Sequence, residues 1–439
     1  MFMLPGVEVH PGFLLGGEFL GIATLPPHTA GEEAWMSIKL LHSTALRKAA
    51  REQWRSADHE LVRPQTSRRR LSIEWHEKNV AGSIRFNLAD GEREELSMST
   101  PPSHELTVNG YTIRRLGPGD AEGVARLVEL VYGDTYYPRD LYEPRQIVHL
   151  NGVGKLVSVV ALDSAGQVVG HLALERPDLG AVAEASDAIV LPQHRHHHLL
   201  EQMMLLLRGE ATRLGLAGLV AYPVTNHVFS QDAEEHAGGH PCGVALGLWP
   251  RSFHNMPAPL TQRMSFVIYF QSLRPRQPGP VLHVATCHQE ILTRISRQYG
   301  FSVELCEEAP AEGSGELAVE YEAAVEAGTI RVHRVGADTT AAVRRTCRDL
   351  CESAGAKALT LELPLAQAGT AAVCRAAEED GFFFSGIVPA FAGDGDALLL
   401  QLPREDIDLS LVQIDHPFAQ DLLAYVSDER ERVWKTRRR

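Results

Sequence analysis

Residues 274–280 read Arg-Pro-Arg-Gln-Pro-Gly-Pro, and no regular element can cross them. Each proline fixes φ and removes a backbone donor, which excludes a helix interior and a central strand alike. The 439 residues are thereby broken in two at this point. The elements on either side then follow one order. Before the break, a helix carries Leu199, Leu200, Met203, Met204, Leu207, Ala211 and Leu214 on its apolar face and stops at Gly215. It is followed by a strand at 219–224, a helix at 226–237 halted by Gly238 and Gly239, and strands at 244–248 and 264–270. After the break come a helix at 340–354, a strand at 359–363, a helix at 371–380, and strands at 382–388 and 397–402. One order met twice points to an internal duplication.

Upstream, residues 111–116 predict a strand, and Asp120 is placed to cap a helix with Val124, Leu127, Val128 and Val131 on one face. Strands at 156–162 and 168–174 flank Asp163-Ser164-Ala165-Gly166, a hairpin signal. Another strand, 184–191, follows. The first hundred residues are less regular: 6–21 is rich in glycine and aromatics, 36–54 predicts an amphipathic helix, 71–75 and 83–88 predict strands, and 92–105 reads as a linker. The expected class is α+β in αβα layers with mixed central sheets. The expected domains are 1–108, 109–274 and 280–435.

The stretch Val190-Leu191-Pro192-Gln193-His194-Arg195-His196-His197-His198-Leu199-Leu200 concentrates the chemistry. A β-branched strand runs through a cationic loop into a helix. The free N–H groups and dipole at a helix start favour an anion such as phosphate. Composition narrows the partners further: a formal net charge of -14 argues against a polyanion binder, so no nucleic acid is expected despite Arg68-Arg69-Arg70 and the basic tail from Lys435. No basic leader and no apolar run of membrane length occur, so no membrane partner and a cytoplasmic location are expected. Six cysteines without a CxxC pair make neither a disulfide framework nor a zinc ribbon, and Cys347 and Cys351 read as small core residues on a helix.

Taken in order, the parts over residues 109–273 resemble the GNAT family of acyl-CoA-dependent N-acyltransferases. The resemblance is carried by the strand pair ending Gly170-His171-Leu172-Ala173, the Val190-x-Pro192-x-x-Arg195 stretch, and the helix from Asn226 that ends in glycine. Residues 281–433 resemble a second, degenerate copy, best seen in Ala376-Ala377-Glu378-Glu379-Asp380-Gly381-Phe382. The resemblance implies acetyl-CoA or another acyl-CoA as co-substrate and a small-molecule or peptide amine as acceptor. It implies that Arg195, His196, His197, His198, Leu199 and Leu200 wrap the pyrophosphate. It further implies that the backbone of Ala188, Ile189 and Val190 pairs with the pantetheine arm as an added strand, and that Asn226 holds the arm, with Ser230 also on the cofactor side. Glu184 stands where many members keep a general base, with Asp187 a weaker candidate and an exposed strand-edge carboxylate the alternative reading.

Two departures accompany the resemblance. The family's loop is Arg/Gln-x-x-Gly-x-Gly/Ala, and here His198 and Leu200 replace both small residues. The tyrosine that many members carry about seven residues after the helix asparagine falls at Ala233 or Glu234. Ser230, Tyr222 or water is then left to attend the thiolate, or it leaves unaided. In the second copy no strand and basic loop are expected before Thr340, since Gly336-Ala337-Asp338-Thr339 is short. That copy is expected to bind no CoA and to serve as packing partner or acceptor-site wall, giving a pseudo-dimeric monomer or a homodimer. Tyr132, Tyr136, Tyr137 and Tyr142 make the acceptor region aromatic, for packing or for substrate contact.

Three other functions compete with the transferase. The chain could be an acyl-CoA sensor without turnover, or a scaffold that binds no CoA. It could also be a metal binder using His194, His196, His197 and His198 with His227, His236 and His240; adjacent imidazoles on one turn splay apart, and no metal site is expected.

Overall fold

The computed structural model of the chain describes residues 105–439 apart from 178, 252–260, 275–280, 301, 307–309, 394 and 438–439. Of residues 1–104 it describes the backbone of eight short strands. Residues 1–99 and 100–439 form two compact units.

In the first unit, Glu8–His10, Ile22–Leu25 and Ala34–Ser37 pair antiparallel, as do Leu14–Leu15 with Glu18–Phe19. Ser72–His76 and Ser83–Asn87 are the two strands expected there. Arg93–Ser97 pairs with Ser83–Asn87 and makes a third strand where a linker was expected, because its Arg-Glu-Glu-Leu-Ser run holds ladder bonds regardless of its polar composition. The expected helix at 36–54 begins inside the strand Ala34–Ser37, and its remainder lies outside the described residues.

The second unit is built on one sheet of 13 strands. Its first half comprises β1 (Leu106–Val108), β2 (Tyr111–Arg115), α1 (Ala121–Tyr132), α2 (Pro144–Gly152), β3 (Leu156–Leu162), β4 (Val168–Glu175), β5 (Val182–Val190) and α3 (Leu199–Arg213). It continues with β6 (Gly218–Ala221), α4 (Phe229–His236), β7 (His240–Trp249) and β8 (Met264–Ser272). After the proline-rich break come β9 (Leu282–His283), α5 (Gln289–Gln298) and β10 (Leu305–Cys306), the two short strands pairing with each other outside the large sheet. The rest is β11 (Glu316–Glu322), β12 (Ala327–Arg334), α6 (Thr339–Arg348), β13 (Ala358–Pro364), α7 (Thr370–Glu379), β14 (Phe383–Ala392), β15 (Gly395–Pro403) and α8 (Pro417–Arg437).

Local sequence explains most of these elements. Every residue of β3, Leu-Val-Ser-Val-Val-Ala-Leu, is buried, as an unbroken apolar run predicts for a strand covered on both faces. The stripe Val124, Leu127, Val128 and Val131 buries α1 on that sheet, each side chain contributing roughly 1.5–3 kcal/mol. Asp120 does not cap α1 with its side chain, contrary to expectation. It accepts instead from the Gly117 N–H at 2.7 Å and pairs with Arg114 at 2.6 Å, closing the turn before the helix. Cys347 and Cys351 are half-buried against the core, and among the described residues no helix is long and apolar enough to cross a membrane.

The sheet runs β11-β12-β13-β15-β14-β7-β8-β6-β5-β4-β3-β2-β1. The order β14-β15-β13-β12-β11 on one side of the β7–β14 seam mirrors β7-β8-β6-β5-β4 on the other. Each half contains one parallel pair, β5 with β6 and β12 with β13, and all other pairs are antiparallel. β12 corrects one expectation: a strand does lead into the helix at Thr339, with Ile330 and Val332 inward and Arg331 and His333 on the opposite face. At the seam Gly243 faces Gly386, and a Cβ on Gly243 would lie 2.6 Å from the Gly386 Cα. The two backbones meet there because neither has a side chain. Gln401 locks the contact, donating to the Val244 carbonyl and accepting from the Leu246 N–H at 2.6 Å.

α8 lies over this seam and is fastened by a polar cluster. His288, fully buried, faces Glu378 of α7 through Nε2 at 2.9 Å and the Tyr425 hydroxyl of α8 through Nδ1 at 2.7 Å. Arg432 of α8 reaches Glu378 at 2.7 Å and Glu429 at 2.6 Å. Cys287, His288, Glu378 and Glu429 also bring one ligand atom each within 4.8 Å of one another, the spacing of a metal site. Here the Arg432 guanidinium supplies the cation to both carboxylates.

Candidate active site

β5 stays beside β6 only from Val182 opposite Gly218 to Glu184 opposite Val220. Beyond Glu184 the strands part. A cavity of about 1790 Å³ opens in the gap, walled by β5, the loop into α3, α4 and, across from them, strands of the second half. A free strand edge, a helix start and a group of carboxyls thus share one space.

At one end stands α3. His198 is its N-cap, in the left-handed conformation at φ 58° and ψ 25°, and His196 also has φ 65°. For an L-residue that geometry costs about 1–2 kcal/mol, which glycine would escape. The loop therefore keeps the backbone shape of a glycine loop while carrying imidazoles. Among the described residues no side-chain hydrogen bond caps this helix start. Arg195 donates to the Val190 carbonyl at 3.2 Å, His194 meets the Tyr111 hydroxyl at 3.0 Å, and His197 packs against the Tyr111 ring. His198 turns to Glu201 at 2.7 Å. His194 and His197 thus share Tyr111, while His198 turns to Glu201.

At the other end stand Glu175, Glu184 and Asp187. Glu175 lies directly across the β4–β5 ladder from Glu184 and accepts from the Ser186 hydroxyl at 2.9 Å. Burial, reinforced by the Glu175 charge, pushes the Glu184 carboxyl up to about 8. Asp187 is raised well above the ordinary range by the same causes, although the Tyr136 hydroxyl donates to it at 3.0 Å. Glu184 and Asp187 therefore favour their protonated forms at neutral pH.

Asp187 sits at a break in the β4–β5 register with φ 57°. Such a bulge re-aims a side chain. Its carbonyl meets Nδ1 of His171 at 3.2 Å, and His171 Nε2 meets Ser158, which Asn151 holds in turn. Burial pulls His171 down to about 4, so a neutral imidazole supports the bulge from behind.

The expected residues divide as follows. Glu184, Ala188, Val190, Arg195, His196, His198, Leu199, Leu200 and Ser230 line the cavity. Ile189 does not, because strand alternation turns it into the core, where it is 1 % exposed. His197 is held off by Tyr111. Asn226 lies outside the lining: the helix expected from 226 starts at Phe229, leaving Asn226 in the preceding turn. Tyr132, Tyr136 and Tyr137 line the cavity, whereas the Tyr142 hydroxyl donates to the Gly133 carbonyl and braces the loop.

Two groups gained importance with the structure. The Ser230 hydroxyl oxygen is buried and makes no hydrogen bond. Glu234, one helical turn on and also on the cavity wall, is pushed up to about 8 by burial and is a protonated carboxyl at neutral pH. On the far wall, Arg331 of β12 grips Glu362 of β13 at 2.5 Å, approaches Glu320 of β11 at 3.7 Å and lies over the Phe391 ring.

The corresponding loop in the second half is packed against residues 313–315, the Ala337 N–H donating to the Gly313 carbonyl at 2.9 Å. Asp338, the N-cap of α6, accepts from the Gly315 N–H at 2.6 Å and the Ser314 hydroxyl at 3.0 Å. Gly336 lies so close that a Cβ on it would come within 2.2 Å of the Gly315 nitrogen.

No family model and no curated protein matches the chain. Solved structures are similar over part of it. A ribosomal-protein-S5-alanine acetyltransferase from Vibrio fischeri aligns at 10% identity and TM-score 0.32, over 40% of this chain and 99% of its own. An N-acetyltransferase from Staphylococcus aureus Mu50 aligns at 16% identity and TM-score 0.32, over 37% and 99%. A GNAT superfamily phosphinothricin acetyltransferase from Sinorhizobium meliloti, in complex with AcCoA, aligns at 18% identity and TM-score 0.31, over 37% of this chain and 88% of its own.

Proposed function

We propose that the chain is an acyl-CoA-dependent N-acyltransferase acting on an amine. The observation that carries this reading is the parting of β5 and β6 at Glu184, which puts an uncapped helix start and a proton-accepting carboxyl group at two ends of one cavity. Phosphates of the co-substrate fit the start of α3, and the unpaired edge of β5 beyond Glu184 suits the amide groups of a pantetheine arm. The acceptor nitrogen then attacks the thioester carbonyl. The N–C bond forms, the C–S bond breaks, Glu184 takes the proton from nitrogen, and Glu234 gives one to sulfur, with the Ser230 hydroxyl hydrogen-bonding the departing thiolate. The second half, whose own loop before α6 is packed against residues 313–315, supplies the opposite wall. We read it as a duplicated copy, on the mirrored strand order and the second parallel pair.

The direct test is release of free thiol from acetyl-CoA with a panel of amines. Turnover with at least one acceptor is expected; saturable CoA binding without thiol release on any acceptor leaves a sensor, and no CoA binding at all leaves a scaffold. One observation favours the sensor: Glu201, in the first turn of α3, lines the cavity beside the proposed phosphate position. A carboxylate about 4 Å from a phosphate charge repels it by about 1 kcal/mol when water fills the gap. Glu201→Gln is therefore expected to tighten CoA binding by about fivefold in calorimetry at low salt, with the gain shrinking as salt is added. Unchanged or weaker binding would place the phosphates elsewhere.

A further inference from the structure

On the reading that this cavity is an acyltransferase site, we propose that its acceptor is a diamine or polyamine. The reacting amine enters between Glu175, Glu184 and Asp187, and a second ammonium is held across the cavity by Glu362 and Glu320 of the second half. Away from the start of α3, the described wall carries seven carboxyls, among them Glu175, Glu184, Asp187, Glu320 and Glu362, against Arg176, Arg331 and His333. Arg176 is turned to backbone carbonyls at Leu179 and Gly180, and Arg331 is shared between Glu362 and Glu320, so positive charge on the wall falls short of negative. Asp187 lines the cavity at 6 % exposure, and among the described residues its Oδ2 has no geometric hydrogen-bond donor, with Glu175 its neighbouring carboxyl. The stacked rings of Tyr132 and Tyr136, 4.6 Å apart, and the Phe391 ring offer the apolar sides that a methylene chain needs. Two carboxyl groups on opposite walls, with aromatic surface on the same cavity, match a short chain with a positive charge at each end.

The carboxyl cluster supports the same conclusion from its protonation. Burial and mutual repulsion keep protons on Glu184 and Asp187 that an incoming ammonium would displace. Binding of a dication near pH 7 must then release protons to the buffer. A site for a neutral or anionic acceptor would not do so.

The experiment is calorimetry of the full chain with 1,4-diaminobutane, spermidine and 1-aminobutane, without acyl-CoA, at pH 7 in two buffers of different ionisation heat. The diamine and spermidine are expected to bind about tenfold or more tighter than the monoamine, with net proton release. Glu320→Gln, at an exposed position, and Glu362→Gln are each expected to weaken diamine binding about fivefold or more and to leave monoamine binding unchanged. Equal binding of monoamine and diamine, or diamine binding without proton release, overturns the proposal. A parallel thiol-release assay separates it from the activity itself: transfer to monoamine and diamine at equal kcat/KM sinks the second-ammonium subsite and leaves the transferase. Tight, proton-releasing diamine binding with no thiol release on any amine sinks the transferase and leaves the subsite.

Discussion

Glu184→Gln will lower kcat/KM for thiol release by about 10²–10⁴-fold, the span associated with loss of a positioned general base, while the folded protein becomes more stable. The two effects have one origin. Glu184 is raised to about 8 because burial and the neighbouring Glu175 charge penalise its ionised form. A carboxyl whose folded value lies above its unfolded value destabilises the fold increasingly as pH rises between the two, from about 4.5 to about 8. Glutamine keeps the shape and removes that penalty, so the unfolding midpoint at pH 8 is expected to rise as activity falls. A variant that loses both activity and stability would mean that Glu184 holds the strand and has no part in the reaction.

The pH profile sharpens the test. The working form needs Glu184 ionised and Glu234 protonated, and both titrate near 8. The product of the two fractions peaks near that pH at about a quarter, giving a narrow bell in kcat/KM. Glu234→Gln should flatten its alkaline limb and leave the acid limb, which belongs to Glu184. An acid limb that persists in Glu184→Gln with its residual activity would pass the base role to Asp187 or Glu175.

What the sequence could and could not convey follows from the range of the interactions involved. The helix faces and the β5-to-α3 turn were legible because each rests on residues adjacent in sequence, whereas Glu184 was singled out by the family resemblance alone. β12 carried a period-two signal at Ile330 and Val332, yet its polar partners Arg331 and His333 look like loop until Ala327 and Ala358 are seen to pair. The Glu175–Glu184–Asp187 group depends on a strand register and a bulge that propensities do not specify. Glu234 looked like the mere loss of a tyrosine. Burial keeps its carboxyl protonated at neutral pH, and burial is a tertiary property.

The α8 fastening lies furthest from what a linear reading can reach, since His288, Glu378 and Glu429 are brought together from three separate elements. Removing the imidazole is expected to cost about 3–5 kcal/mol, the usual effect of breaking one partner out of a buried ionic group. His288→Ala leaves Glu378 and Glu429, both under a tenth exposed, with Arg432 alone, and it also strips a ring from the contacts with Phe384 and Tyr425. Burial pulls the His288 value down, but hydrogen bonds with Cys287, Cys374 and Glu378 outweigh it and leave it well above 6.5. Glu378 is opposed by burial as well, and its bonds to His288 and Arg432 bring it below 4.5. The sign of each contribution follows. That of His288 is full below 6.5 and is lost as pH rises through its folded value; that of Glu378 is full above 4.5 and is lost as pH falls through its folded value. The fastening is therefore strongest between those limits, facing Cys287, Cys374, Tyr425, Glu429 and Arg432 from all packed sides. Guanidinium unfolding from pH 5 to 10 should show wild-type stability falling on the alkaline side and His288→Ala missing that fall. A loss under about 1 kcal/mol with an unchanged pH dependence would show that α8 is held by its apolar face against β7 and β14, with the ionic cluster incidental.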